Sequence, residues 1–135
     1  MAFFDWNDSY SVGVADIDTQ HKKLFALINE LYDSTNKGRA NDVLERILGE
    51  LIEYTKFHFK TEEQLLEQNG YPGLPEHRIA HRRLLSEIRR TVDRAEQSSH
   101  VAIGPLLVFL RDWYLNHIEG LDQQYGAWLN ERGIF

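Results

Sequence analysis

The chain has 135 residues, 42% hydrophobic and 27% charged, with a formal net charge of −6; that favours one domain with a substantial core and argues against nucleic acid, which requires a basic face. With no cysteine, disulfides, thiolate metal sites and cysteine nucleophiles are excluded, which suits a reducing, cytoplasmic setting. No apolar run is long enough to span a membrane, and the start Met1-Ala-Phe-Phe-Asp5-Trp6 lacks the basic and apolar segments of a secretory signal.

Residues 1–17 carry no helical period. Phe3, Phe4, Trp6 and Tyr10 alternate with polar residues, which reads as an ordered arm packed onto the body of the protein. A first helix is predicted from about Thr19 to Lys37, with His21, Leu24, Ile28, Leu31 and Thr35 on one stripe and Gly38 as its cap. Asn41 suits the N-cap of a second helix that continues to about Gln68. Its stripe is Leu44, Ile47, Leu48, Leu51, Thr55, His58, Glu62 and Leu65, and Gly70 ends it. Pro75 fits the first turn of a third helix carrying His77, His81, Leu84, Ile88, Val92 and Ala95. After a Ser98-Ser99-His100 loop, a fourth helix covers about Ala102 to Gly120, with Pro105 tolerated in its first turn and a stripe of Leu106, Leu110, Trp113 and His117. A short helix from about Asp122 to Glu131 follows. Short connections between such helices predict an all-α protein, an up-down-up-down four-helix bundle with an N-terminal arm and a short C-terminal helix, forming a single domain over 1–135.

Polar groups interrupt these stripes at one level. In an alternating bundle the starts of the first and third helices and the ends of the second and fourth share one end. His21, His58, Glu62, His77, His81, His117 and Asp122 therefore meet in one layer. A single histidine on an apolar face is ordinarily a satisfied core residue. Five imidazoles and two carboxylates buried together without a cation would leave costly unpaired groups, so the layer reads as a metal site. His100, in a polar loop, reads as solvated. Seven ligands are too many for one ion and suit two, with Glu62 and Asp122 as natural bridges. Imidazole with carboxylate favours iron, manganese or zinc. The Glu-x-x-His pairs of carboxylate-rich di-iron bundles are missing, and a histidine-rich site favours reversible chemistry over oxygenation. His117 and Asp122 lie five residues apart, about 140° around an ideal helix. Both reach one cluster only if the helix ends or widens between them, as a π-type turn would do, and Gly120 eases either distortion.

The order His21, His58-x3-Glu62, His77-x3-His81, His117-x4-Asp122 resembles the hemerythrin family in its single-domain bacteriohemerythrin form. The flanking text is similar too: Asp18-Thr-Gln20-His21-Lys22, Phe59-x2-Glu62-Glu63, Gly70-Tyr71-Pro72 and Trp113-x2-Asn116-His117-Ile118. The likeness covers nearly the whole chain. It implies one iron held by His77, His81 and His117 and another by His21 and His58, bridged by Glu62, Asp122 and an oxo or hydroxo group. Counted this way, the first iron is full at six ligands and the second keeps one position open for dioxygen, bound reversibly in a dry pocket. The function implied is an oxygen carrier, store or delivery protein with an unknown protein client, and not an enzyme. The alternatives are a di-iron redox enzyme acting on peroxide or nitric oxide, an oxygen or redox sensor module that would need a partner chain, an iron store, and a zinc-loaded structural bundle. Tyr114 departs from the expected aliphatic residue near the oxygen pocket. It reads as a core tyrosine with an ordinary partner, as a hydrogen-bond donor to bound oxygen, or as a phenolate in the open iron position.

Overall fold

The computed structural model describes residues 4–37, 41–97 and 103–135. Four long helices dominate it: α1 (Ala15–Asn36), α2 (Asn41–Gln68), α3 (Leu74–Gln97) and α4 (Ile103–His117). A π-helical turn at Ile118–Asp122 leads into α5 (Gln123–Asn130), and a single 3-10 turn at Asp8–Tyr10 shapes the arm. Each long helix packs on its neighbours in sequence, and α4 closes the ring against α1. The stripes meet in the middle: Leu24, Ile28 and Leu31 of α1, Ile47, Leu48 and Leu51 of α2, Leu84 and Ile88 of α3, and Leu106 and Leu110 of α4 are all buried. On α2 the core face takes Leu66, one turn beyond Glu62, while Leu65 lies at its half-buried edge. Gly38, Phe3, Ala102 and the Ser98-Ser99-His100 loop lie outside the described residues, as do the side chains of Asn41, Leu44, Val92 and Ala95. Among the described residues, no helix is long and apolar enough to cross a membrane.

Two local devices set the ends that matter. Gly70 stops α2 at φ +70°. Its N–H donates to the Glu67 carbonyl at 3.1 Å while Tyr71 N–H donates to Leu66 at 2.9 Å, the paired bonds of a Schellman cap. The chain turns there, and α3 begins four residues later with Pro75 in its first turn. The start of α1 is earlier than its stripe suggests, at Ala15 and not Thr19. Asp16 and Asp18 stabilise the electropositive first turn, and Ile17 buries there. Asp18 also holds the arm: its carboxylate accepts from Ser11 Oγ at 2.5 Å and Val12 N–H at 2.9 Å.

From Phe4 onward the arm packs onto the bundle, as its aromatics predict. Phe4 stacks on Phe25 at 3.8 Å between ring centroids, and its backbone N–H and carbonyl both pair with the Asn29 amide at 2.7 Å. Farther along, Gln123 Nε2 donates to the Ser9 carbonyl at 2.7 Å and Asn130 Nδ2 to the Gly13 carbonyl at 3.0 Å. Gly126 of α5 lies so close to the Val12 carbonyl that a Cβ there would come within 1.9 Å of that oxygen. The arm thus joins α1 to α5.

Candidate metal centre

All seven groups singled out by the sequence are buried, with His117 the most accessible at 7%. The bundle brings them together because α1 and α3 start, and α2 and α4 end, at the same level. The π turn solves the spacing problem between His117 and Asp122: one extra residue per turn aligns positions five apart. The expected help from Gly120 is not a steric requirement, since a Cβ there would meet nothing within 4 Å.

The imidazoles turn their Nε2 atoms toward the two carboxylates. His77 Nε2 lies 2.9 Å from Glu62 Oε1 and 3.0 Å from Asp122 Oδ1. His21 Nε2 is 3.2 Å and His117 Nε2 3.1 Å from Asp122. His58 Nε2 contacts Glu62 Oε2, and His81 Nε2 is 3.8 Å from Glu62 Oε1. Two groups form, each with candidate ligand atoms within 4.8 Å of one another: Glu62, His77, His81 and His117, and His21, His58 and Glu62. Glu62 belongs to both.

Few of these contacts are satisfied hydrogen bonds. Glu62 Oε2, His81 Nε2, His117 Nε2 and both Asp122 oxygens are buried with no hydrogen-bond partner. Such orphaned groups are costly in a core and face a common volume, so the donor set fits metal ions well. Protons supply the missing positive charge when only protein groups are counted. Burial would lower the His21 imidazole, yet the neighbouring Asp122 and Glu62 carboxylates lift it to about 9, and the same balance lifts His77 to about 10. Burial opposes ionisation of both carboxylates, but the surrounding histidines hold Glu62 and Asp122 well below the usual carboxylate range. His81 goes the other way: burial, aided by the charge of His77 and His117, lowers it to about 4 despite Glu62.

The His58, His81 and His117 rings are held from outside the layer. Phe59 stacks on His81 at 3.7 Å with 1° between planes, and Trp113 stacks on His117 at 4.3 Å and 14°. His58 Nδ1 donates to Gln20 Oε1 at 2.6 Å, and His81 Nδ1 donates to Glu63 Oε2 at 3.0 Å. Both rings therefore carry their proton on Nδ1 and leave Nε2 bare for a cation. Sequence reasoning assigned no role to Gln20 or Glu63. The available signal was adjacency: each follows or precedes a candidate ligand directly, so each must sit at the same level. Tyr125 was also missed; it is buried, and its hydroxyl has no partner.

Tyr114 is buried and shares a 2.8 Å hydrogen bond with Thr55 across the α2–α4 interface. Burial, with the Glu62 and Asp122 charges, pushes its phenol well above the ordinary range despite the Thr55 bond. Its hydroxyl is thus paired, inside the core, with a side chain on the neighbouring helix.

Comparison with known proteins agrees with this geometry. A family model described as the hemerythrin HHE cation binding domain matches residues 12–129. Bacteriohemerythrin of Stenotrophomonas maltophilia is 31% identical, covering 93% of this chain and 80% of that protein. Bacteriohemerythrin of Methylococcus capsulatus is 29% identical over 96% of this chain and 99% of its own. A hemerythrin-like protein of Naegleria gruberi is 33% identical, covering 90% of both chains. Among solved structures, wild-type hemerythrin superposes with a TM-score of 0.85 at 28% identity, over 93% of this chain and 97% of that one. A leucine-to-tyrosine variant of hemerythrin superposes with a TM-score of 0.86 at 29% identity, over 94% and 97%. With a matching family model over most of its length and relatives of about the same size, the chain belongs to the hemerythrin family.

Proposed function

We propose that the chain is a non-haem di-iron protein that binds dioxygen reversibly, as a carrier, store or delivery protein. The observation that carries this reading is the buried layer itself: five imidazoles and two carboxylates, with orphaned atoms facing one another. Its two groups share Glu62, with three histidines in one and two in the other. We assign one iron to His77, His81 and His117, the other to His21 and His58, and a bridging role to Glu62 and Asp122. Asp122 supports this, since it lies within 3.2 Å of His21, His77 and His117 together. Two iron ions there would supply the electrons that make dioxygen uptake possible at the less crowded, two-histidine side.

The protein's own part is to hold the ligands and exclude water. One turn away from the ligands stand Ile17, Leu24, Leu66, Leu84 and Tyr114, all essentially inaccessible to solvent. A layer walled this way keeps out the water and protons that turn reversible binding into irreversible oxidation. Tyr114 belongs to this wall. Its hydroxyl is engaged by Thr55 and stays protonated, which argues against a phenolate in the open position.

The deciding experiment uses anaerobically reduced, iron-quantified protein. A visible charge-transfer band that appears with dioxygen and vanishes on its removal, at about two irons per chain, supports reversible binding. A one-way change favours a redox enzyme acting on peroxide or nitric oxide, or a sensor. Absence of iron and band rejects the di-iron reading.

A further inference from the structure

The two halves of the layer are supported differently from outside. His58, of the two-histidine group, gives its Nδ1 proton to Gln20, a neutral amide. His81, of the three-histidine group, gives its Nδ1 proton to the Glu63 carboxylate. Glu63 is itself held by Arg78, whose Nε donates to Oε1 at 3.2 Å while its Nη2 reaches Glu67 at 3.2 Å. Arg78 lies one turn before His81 on α3, so the guanidinium, the carboxylate and the imidazole form a chain that spans α2 and α3. Phe59 covers the His81 ring face and leaves it one orientation.

An imidazole whose N–H donates to a carboxylate carries more negative charge on its other nitrogen than one donating to an amide. It is a stronger metal donor and is more firmly aimed. We propose that Glu63 is a positioning residue that strengthens His81 as a donor, and that the contrast between Glu63 and Gln20 makes the two metal positions unequal. The three-histidine position then fills first and releases its ion last. This inference rests on the two-ion reading above. It assigns to Glu63 and Gln20 a part that the shared ligands Glu62 and Asp122 cannot play, because those serve both positions alike.

The test is a binding titration, independent of dioxygen. Metal-free wild type, Glu63→Gln, Glu63→Leu and Gln20→Leu are titrated anaerobically with ferrous iron, and separately with cobalt(II), against a chromophoric chelator. Wild type should take two ions in two resolved steps. Glu63→Leu should weaken the tighter step by about 10- to 100-fold, the range typical of lost outer partners, and leave the weaker step in place. Glu63→Gln keeps an acceptor oxygen without the charge and should fall between the two. Gln20→Leu should weaken the other step. The cobalt absorption bands of the tighter site should change in the Glu63 variants alone. Glu63 is about a quarter exposed, and Glu63→Gln preserves its shape, so at least that variant keeps the fold. Wild-type constants in both Glu63 variants would overturn the inference while leaving the di-iron reading intact. A wild type that never binds two ions would overturn that reading and this inference with it.

Discussion

Replacing Tyr114 by Phe and Thr55 by Val, singly and together, separates a core hydrogen bond from a role at the metal. The two hydroxyls meet at 2.8 Å, in side chains 1% and 0% exposed, so neither has water to fall back on. Their fallbacks within the protein differ. Thr19, Thr35, Thr61 and Thr91 each donate to the carbonyl four residues earlier, at 2.9–3.0 Å. In Tyr114→Phe, Thr55 can turn to the Leu51 carbonyl in the same way, so only the net worth of one hydrogen bond is lost, about 1 kcal/mol. In Thr55→Val the tyrosine hydroxyl is stranded, at a cost of about 2 kcal/mol. The double variant strands nothing and should lose only about 1 kcal/mol, giving a coupling of about 2 kcal/mol. Urea denaturation in the presence of a chelator measures this without metal release entering the transition. At roughly 4 °C per kcal/mol for a domain of this size, thermal melts resolve it too. The iron-loaded Tyr114→Phe protein should keep the wild-type spectrum. Additive losses, or a spectrum altered by Tyr114→Phe, would refute the assignment of Tyr114 to the core.

Metal-free protein should lose stability as pH rises. The His21 and His77 imidazoles are lifted to about 9 and about 10 in the folded state, against 6.5 when free. Their contribution is therefore complete below about pH 6.5 and lost as pH climbs through 9 to 10. His81, lowered to about 4, works in the opposite window, losing stability as pH falls from 6.5 toward 4. Denaturation midpoints in chelator should peak near neutrality, and metal-loaded protein should lack the alkaline decline; identical alkaline behaviour in both would count against the cluster. Glu62→Leu should abolish uptake of both ions, because Glu62 belongs to both groups, whereas His117→Ala should weaken mainly one; ferrous iron counted per chain distinguishes them. Saturating metal at about 1,000-fold above its dissociation constant should stabilise the fold by roughly 4 kcal/mol for each ion, read as a melting shift reversed by chelator. Gly126→Ala should cost about 3 kcal/mol, the upper end for overpacking, since its Cβ would meet the Val12 backbone carbonyl; an unchanged melting temperature would show that the arm yields easily.

The bundle was legible because its helices carry both a 3.6-residue stripe and clear stops. The buried layer of histidines and carboxylates was legible for a second reason. No pair of its residues is decisive, but alternating topology puts the starts of α1 and α3 beside the ends of α2 and α4. The π turn followed from arithmetic on a helical wheel. What escaped notice has a common cause: it depends on which atom points where across helices. His58 to Gln20 and His81 to Glu63 are contacts between helices, and a sequence stripe records only the face a residue occupies. Thr55 was visible as a polar break in the α2 stripe, but its partner on α4 was not. The earlier start of α1 was hidden because the apolar stripe that marks the helix begins only at His21, although the acids Asp16 and Asp18 suit a first helical turn.

The clasp between the arm and α5 bears on the timing of assembly. Its bonds join residues 114 and 117 positions apart, and Asp122 enters the layer on the segment just before α5. Contacts so distant along the chain form slowly, since a long loop must close before any of them is gained. During synthesis from the N-terminus, His21, His58, Glu62, His77 and His81 are all available before the π turn and Asp122 exist. A half-formed site on the nascent chain would offer one carboxylate and an open, wet flank. Ions captured then would be loosely held and exchangeable until the arm had closed against α5.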